Sequence, residues 1–65
     1  MKTTEKSKFV AAVRAHPEWI ARPVESHSLS VMQYVDSEGY LMAAAIYRKP
    51  IHPGDKVTPE YQLAT

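Results

Sequence analysis

Residues 28–48, SLSVMQYVDSEGYLMAAAIYR, carry the strongest structural signal in the chain. The run 28–36 is rich in β-forming residues, and the run 40–48 follows after a three-residue loop that ends at Gly39. A loop of this length ending in glycine is typical of a hairpin whose type I turn is followed by a G1 bulge, because glycine adopts a positive φ without strain. The stretch therefore predicts an antiparallel β-hairpin.

The turn also predicts the register of the hairpin, and the register sorts the side chains into two faces. The predicted pairs are Asp36 with Tyr40, Val35 with Leu41, Gln33 with Ala43, Val31 with Ala45, and Leu29 with Tyr47. One predicted face holds Leu29, Val31, Gln33, Val35, Leu41, Ala43, Ala45 and Tyr47. The other holds Ser30, Met32, Tyr34, Tyr40, Met42, Ala44, Ile46 and Arg48. Both faces are apolar near the middle, whereas a hairpin with one solvated side alternates apolar and polar residues.

The residues before the hairpin predict two helices, over about 3–16 and about 17–21. Apolar and neutral residues recur at helical spacing along one face of the first segment: Phe9, Ala12, Val13 and His16. Pro17 prevents regular continuation of the first helix and suits the first position of the second. Arg22-Pro23 then ends the second helix.

The residues after the hairpin predict a proline-rich loop over 49–58 and a terminal arm over 59–65. Thr58-Pro59-Glu60 is a good helix start, yet Val57, Tyr61 and Leu63 alternate like an edge strand. Pro59 favours a short helix or an arm. The predicted fold class is therefore α+β: an N-terminal amphipathic helix and a short helical turn packed on an antiparallel hairpin, in one small domain of residues 1–65.

Size and composition limit how such a chain becomes stable. A chain of 65 residues buries only about 60% of its unfolded surface, and this chain has no cysteine for a disulfide or a cysteine-bearing zinc site. Oligomerisation is the remaining remedy. The net charge of +1 is too small to indicate nucleic acid or an anionic membrane by itself. With no apolar run long enough for a bilayer and no signal-peptide pattern, a cytoplasmic protein without membrane contact is expected.

No pattern for catalysis, cofactor binding or metal binding is present in the sequence. The three histidines His16, His27 and His52 stand apart from any nucleophile elbow, HExxH motif or Gly-rich phosphate loop. Each has a plainer explanation in a turn, a strand entry or a helix end. The prediction is a protein that is not an enzyme, with no catalytic residue, cofactor or metal.

Association is the function that the residues favour. The first helix covers only one face of the predicted hairpin, so the other face needs a cover, and contiguous apolar surface of that size typically marks an interface. The predicted interface residues are Met32, Tyr34, Tyr40, Met42, Ile46 and Arg48. The predicted partners are a second copy, forming a homodimer, or a larger protein that this chain regulates or inhibits, as small phage-type accessory proteins do.

Two alternatives stay open at this point. The terminal arm, through Val57, Tyr61 and Leu63, can cover the second face within a monomer. A nucleic-acid-binding regulator is the other alternative, with Tyr34 and Tyr40 on the hairpin as a stacking platform and nearby Arg and Lys side chains for phosphates. The seven acidic residues spread along the chain weigh against it.

Overall fold

A five-stranded antiparallel sheet with one helix on one side forms the fold in the computed structural model, which describes residues 1–64. The elements in chain order are β1 (Lys2–Thr4), α1 (Lys6–Ala15), β2 (Ile20–Glu25), β3 (Leu29–Val35), β4 (Leu41–Arg48) and β5 (Glu60–Leu63). Their order across the sheet is β1-β5-β4-β3-β2, and each pair of neighbours is antiparallel. Helix α1 crosses from one edge of the sheet to the other.

The predicted fold class, a helix and a helical turn on a lone hairpin, is wrong. The helix and the hairpin are present as α1 and β3–β4, but three further strands turn the hairpin into the middle of a sheet. The expected helix over 17–21 is a single turn, in which the Trp19 N–H donates to the His16 carbonyl at 3.1 Å. The chain then enters β2. The expected C-terminal helix or arm is β5.

Strand β2 lies at an edge of the sheet, and all six of its residues are exposed. In the β2–β3 hairpin the Ser26 N–H donates to the Leu29 carbonyl at 2.9 Å, next to the turn. From that pair onward, hydrogen-bonded and non-hydrogen-bonded residue pairs alternate along the two strands. Pro23 therefore falls at a position whose nitrogen faces away from β3. Because an edge strand tolerates a missing N–H at such a position, Pro23 does not end the strand.

Strand β5 lies inside the sheet, between β4 and β1. Tyr61 and Leu63 alternate with polar residues, as the sequence indicated, and Pro59 stands just before the strand, where its missing N–H costs no ladder bond. Strand β1 pairs with β5 through Lys2 with Leu63 and Thr4 with Tyr61. The first strand thus forms one edge of the sheet and pairs with the last.

The turn between β3 and β4 confirms the sequence prediction. Gly39 has φ +87°, its N–H donates to the Asp36 carbonyl at 3.0 Å, and the Asp36 N–H donates to the Tyr40 carbonyl at 3.0 Å. The Asp36 carboxylate also accepts hydrogen bonds from the backbone N–H groups of Glu38 and Tyr40, both at 2.9 Å. One side chain thus satisfies two donors of the turn.

Replacing Asp36 with alanine is expected to lower the free energy of unfolding by about 1–2 kcal/mol, since each lost hydrogen bond is worth ~0.5–1.5 kcal/mol. Asp36→Asn keeps an acceptor oxygen at the same place and is expected to lose less. Urea unfolding followed by far-UV circular dichroism measures both. Equal losses in the two variants would show that the acceptor oxygen does not stabilise the turn.

A β-bulge at the start of β4 changes the register of the hairpin. Val35 pairs with Leu41, but Tyr34 pairs with Ala43, so Met42 is an extra residue, and its carbonyl accepts from the Ala64 N–H at 2.9 Å. Beyond the bulge the predicted register is wrong by one residue. The observed pairs are Gln33 with Ala44, Val31 with Ile46, and Leu29 with Arg48.

The core lies between α1 and one side of the sheet, here called the helix face. Phe9 packs over Ala43 and Ala45, which are small enough for the helix to approach the sheet closely. Partly buried residues surround this cluster: Val10, Val13, Trp19, Met32, Tyr34, Tyr61 and Leu63. The core is thin, because the buried residues of this cluster are one phenylalanine and two alanines.

The chain is also extended for its length. The Cα radius of gyration is 12.5 Å. A compact domain of this length has a radius of about 11 Å. Within residues 1–64 the fold is one layer of sheet with a single helix on one side, which is a thin arrangement.

Candidate interaction face

The second side of the sheet, here called the open face, is built by the register of β2 to β5. Residues that pair directly across antiparallel strands point to the same side, so the cross-strand pairs define rows that run across the sheet. One row holds Ile20, Val35 and Leu41. The next holds Arg22, Gln33, Ala44, Gln62 and Thr3. The third holds Val24, Val31, Ile46 and Glu60, and the last holds Leu29 and Arg48.

Apolar side chains of the open face are accessible to solvent. Ile20 is 57% exposed, Val24 43% and Leu41 38%. Leu29, Val31 and Ile46 are half-buried, and Val35 is buried. These residues come from β2, β3 and β4, so each of the two main apolar rows crosses three strands. Such surface on a small protein typically marks a site of association.

A polar row divides the two main apolar rows of the open face. Arg22, Gln33 and Gln62 supply its long side chains, and the small Ala44 lies between the two glutamines. The Gln62 amide donates to the Glu60 carboxylate at 2.7 Å, which ties these two β5 side chains together. The small Ala44 side chain therefore leaves a depression in the open face, and the side-chain amides of Gln33 and Gln62 lie on either side of it.

Charge is unequally distributed across the open face. Arg22 lies on β2 at one margin, and Glu60 lies on β5 towards the other. Among the described residues, the carboxylates within 4.0 Å of a basic group are Glu18, next to His16, and Glu25, 3.9 Å from Lys49. Arg22, Glu60 and Arg48, the third charged residue of this face, are thus available to a partner.

The six residues predicted as an interface do not share one face. Met32 and Tyr34 point towards α1 and pack around Phe9, while Ile46 and Arg48 lie on the open face. Tyr40 is exposed in the turn, and Met42 is half-buried at the bulge. The prediction of a common face is wrong because the bulge moves β4 by one residue against β3. It also follows that Tyr34 and Tyr40 do not form a common stacking platform.

The sequence analysis missed most of the residues that form the open face. The sequence prediction places Ile20 in a helical turn and Arg22 at its end, and it assigns Val24 to no element. Two β-branched residues, Ile20 and Val24, and a proline that suits an edge strand were the available signal. Alternation through Tyr61 and Leu63 was noticed, and it marks Glu60 and Gln62 as the other side of β5. Period-two alternation was the available signal in both segments.

The tyrosines of the helix face form a cluster around Phe9. The Phe9 ring lies 5.7 Å from that of Tyr34, edge to face, and 4.9 Å from that of Tyr61. A hydrogen bond with the Tyr61 hydroxyl raises the pKa of Tyr47, and partial burial acts in the same direction. Both effects favour the neutral phenol of Tyr47.

The histidines are dispersed. The His16 ring stacks on Trp19 with the ring centroids 4.3 Å apart, and its Nδ1 lies 2.9 Å from the Glu18 carboxylate. This hydrogen bond lowers the pKa of Glu18. Within residues 1–64, no group of three or more His, Asp or Glu side chains is arranged to hold a metal ion.

Shallow clefts surround the end of β4 and the loop that follows it. They have volumes of about 350–380 Å³ and are open to solvent. Arg48 lines all three, together with Leu29, Ile51 or Thr58 in different combinations. They extend the open face at its last row rather than forming an enclosed binding pocket.

No helix among the described residues is both long and apolar enough to cross a membrane.

Comparisons with known proteins add no relative: no family model, no curated protein and no solved structure matches this chain.

Proposed function

We propose that this protein is a non-enzymatic protein–protein interaction module that self-associates through the open face of its sheet and acts as a regulator or inhibitor by covering a surface on a larger protein. The observation that supports the proposal is the apolar surface formed by Ile20, Val24 and Leu41 at the margins and by Val31 and Ile46 at the centre. The same surface serves both kinds of contact, because each requires an accessible apolar sheet face.

The energetics favour a covered face. Fully burying one valine, leucine or isoleucine side chain contributes roughly 1.5–3 kcal/mol. A small domain has a total stability of only ~5 kcal/mol, so covering several such side chains adds an amount comparable to the stability of the fold. The thin core under α1 makes that gain important for this chain in particular.

The size of the face sets the expected strength of association. Strands β2 to β5 span about 19 Å, and six residues along a strand span about 20 Å. A flat contact of that extent covers about 800 Å² over both partners before side-chain relief is counted, which is below the ~1,200 Å² of stable specific interfaces and in the range of weak, transient contacts. The homodimer is therefore expected to dissociate on dilution.

The first experiment measures solution mass by sedimentation velocity across a dilution series. The wild type is expected to approach twice the chain mass of 7.3 kDa at high concentration and to fall towards one chain mass on dilution. Val24→Lys is expected to shift the midpoint of dissociation to at least tenfold higher concentration, because it places a charge where a partner would dehydrate it. Val24 is exposed, so the fold should persist, as far-UV circular dichroism would report.

Ala11→Lys is the matched control. Ala11 is exposed on α1, away from the open face, and the substitution adds the same charge. It is expected to leave the dissociation midpoint unchanged. A wild type that stays monomeric at every concentration would overturn self-association, and equal behaviour of the two lysine variants would exclude the open face as the contact surface.

A further inference from the structure

The clefts at the end of β4 are lined by three basic residues, here called the basic wall: Arg48, Lys49 and Lys56. Arg48 lines all three clefts, Lys49 lines two and Lys56 lines one. Two acidic residues, Asp55 and Glu60, line one cleft each. With volumes of about 350–380 Å³, the clefts are at the small end of the ~300–1,000 Å³ that is typical of binding clefts. Their size suits a short segment of a partner.

The two acidic residues do not neutralise the basic wall. The Asp55 carboxylate accepts a hydrogen bond from the His52 backbone N–H at 3.2 Å, and the Glu60 carboxylate accepts one from the Gln62 amide at 2.7 Å. Within residues 1–64, neither carboxylate lies within 4.0 Å of a basic group. Each is thus held by a neutral donor of its own segment and forms no ion pair with the wall.

The three cations of the wall differ in what already contacts them. The Lys49 ammonium donates to the Ser26 carbonyl at 3.0 Å and lies 3.9 Å from the Glu25 carboxylate. Arg48 and Lys56 are exposed and have no carboxylate within 4.0 Å among residues 1–64. The positive charge that the clefts offer to a ligand is therefore carried mainly by Arg48 and Lys56.

Apolar side chains lie beside these cations. Ile51 is 86% exposed and lines two of the clefts, and Leu29 also lines two. Val57 is 39% exposed and lines the same cleft as Lys56. An isoleucine as exposed as Ile51 contributes little to the core of its own chain. Together with Leu29 and Val57, it provides apolar surface on which a partner's aliphatic side chains can pack.

This combination fits an acidic segment of a protein better than a nucleic acid. A nucleic acid carries a phosphate at every nucleotide, so the two acidic residues of the clefts would repel the same backbone that the cations attract. Bases also stack on aromatic rings, and within residues 1–64 no aromatic side chain lines these clefts. A protein segment can place its carboxylates at Arg48 and Lys56 and an aliphatic side chain on Ile51.

We infer that the larger protein presents an acidic segment, with aliphatic side chains beside its carboxylates, to the clefts at the end of β4. Arg48 and Lys56 bind the carboxylates, and Leu29 and Ile51 pack against the aliphatic side chains. This inference rests on the proposed function, the covering of a larger protein, and adds the chemistry of the segment that is recognised. Ile51 and Lys56 belong to the loop outside the rows of the open face, so they test the clefts separately from self-association.

The first test is a nuclear magnetic resonance titration of the ¹⁵N-labelled protein at low ionic strength with a model peptide, Glu-Leu-Asp-Glu-Leu-Asp, acetylated and amidated at its ends. Saturable chemical-shift changes are expected at Leu29 and over residues 48–58, with the amide signals of α1 unchanged. A peptide with lysine in place of each acidic residue is expected not to bind. A peptide with serine in place of each leucine is expected to bind several-fold more weakly.

A charge reversal in the loop tests the contribution of the basic wall. Lys56→Glu is expected to raise the dissociation constant of the acidic peptide about tenfold, because it places like charges together in the contact. Lys8→Glu is the matched control, since Lys8 is exposed on α1 and the change in net charge is the same. It is expected to change the dissociation constant less than about twofold. Both positions are exposed, so the fold should persist, as far-UV circular dichroism would report.

Three results would overturn the inference. They are no binding of the acidic peptide at low ionic strength, equal weakening by Lys56→Glu and Lys8→Glu, and binding of an oligothymidylate to these clefts in place of the peptide. Sedimentation of the wild type decides self-association separately, and Lys56→Glu is expected to leave the midpoint of dimer dissociation unchanged. A dimeric wild type that does not bind the peptide would remove this inference alone, and a monomeric wild type that binds it would remove only self-association.

Discussion

Phe9→Ala is expected to remove most of the free energy of unfolding. Phe9 is 6% exposed, and its ring contacts Tyr34 and Tyr61 above the alanines of β4. Removing a buried phenylalanine ring costs about 3–5 kcal/mol. The total stability of a small domain is ~5 kcal/mol, so little remains. Far-UV circular dichroism and urea unfolding, at the same chain concentration as the wild type, measure the loss.

Tyr40→Ala is the control for Phe9→Ala. It also removes an aromatic ring, but Tyr40 is 65% exposed, and only its backbone groups join the turn. A change within about 0.5 kcal/mol is expected. If Phe9→Ala unfolded at the same urea concentration as Tyr40→Ala, α1 would not be docked on the sheet as described.

Ala43→Leu is expected to be the second most damaging change. Ala43 is 0% exposed, pairs with Tyr34 and lies beneath Phe9. Three added carbon atoms have no space there, so either the helix is lifted from the sheet or the aromatic rings leave their positions. Overpacking of this kind costs about 1–3 kcal/mol. The urea concentration at the midpoint of unfolding is expected to fall. The near-UV circular dichroism bands of the displaced aromatic rings are expected to broaden.

The same substitution at Ala11 separates steric effects from changes in helix and strand propensity. Ala11→Leu adds an identical side chain on the solvent side of α1 and is expected to leave the urea midpoint nearly unchanged. A tolerated Ala43→Leu, with an unchanged near-UV spectrum, would contradict the close approach of α1 to the sheet.

The elements encoded by local signals could be predicted from the sequence. Helix α1 follows from its apolar periodicity, and the β3–β4 turn follows from Gly39 and the loop length. Strands β1, β2 and β5 depend on pairing with partners that are distant in sequence. Pro23 and Pro59 resembled helix boundaries because local propensity does not report whether a proline stands at a sheet edge.

The candidate site could be predicted in kind but not in composition. A second apolar sheet face was expected, and the structure contains one, but the bulge at Met42 decides which residues belong to it. A one-residue shift exchanges the faces of every later residue, so Ile46 and Arg48 part from Met32 and Tyr34. Nothing in the local sequence of 40–48 marks the extra residue, because Leu41 to Ile46 is apolar at every position.

Pro23 bears on how this chain avoids aggregation. Sheet edges with a full set of free N–H and C=O groups act as templates on which further chains add strand by strand into fibrils. In β2 the nitrogen of Pro23 occupies the middle of the outer edge and offers no donor, and the opposite edge, β1, is only three residues long. Growth by strand addition is therefore interrupted at both edges. The self-association proposed above uses the open face of the sheet rather than these edges.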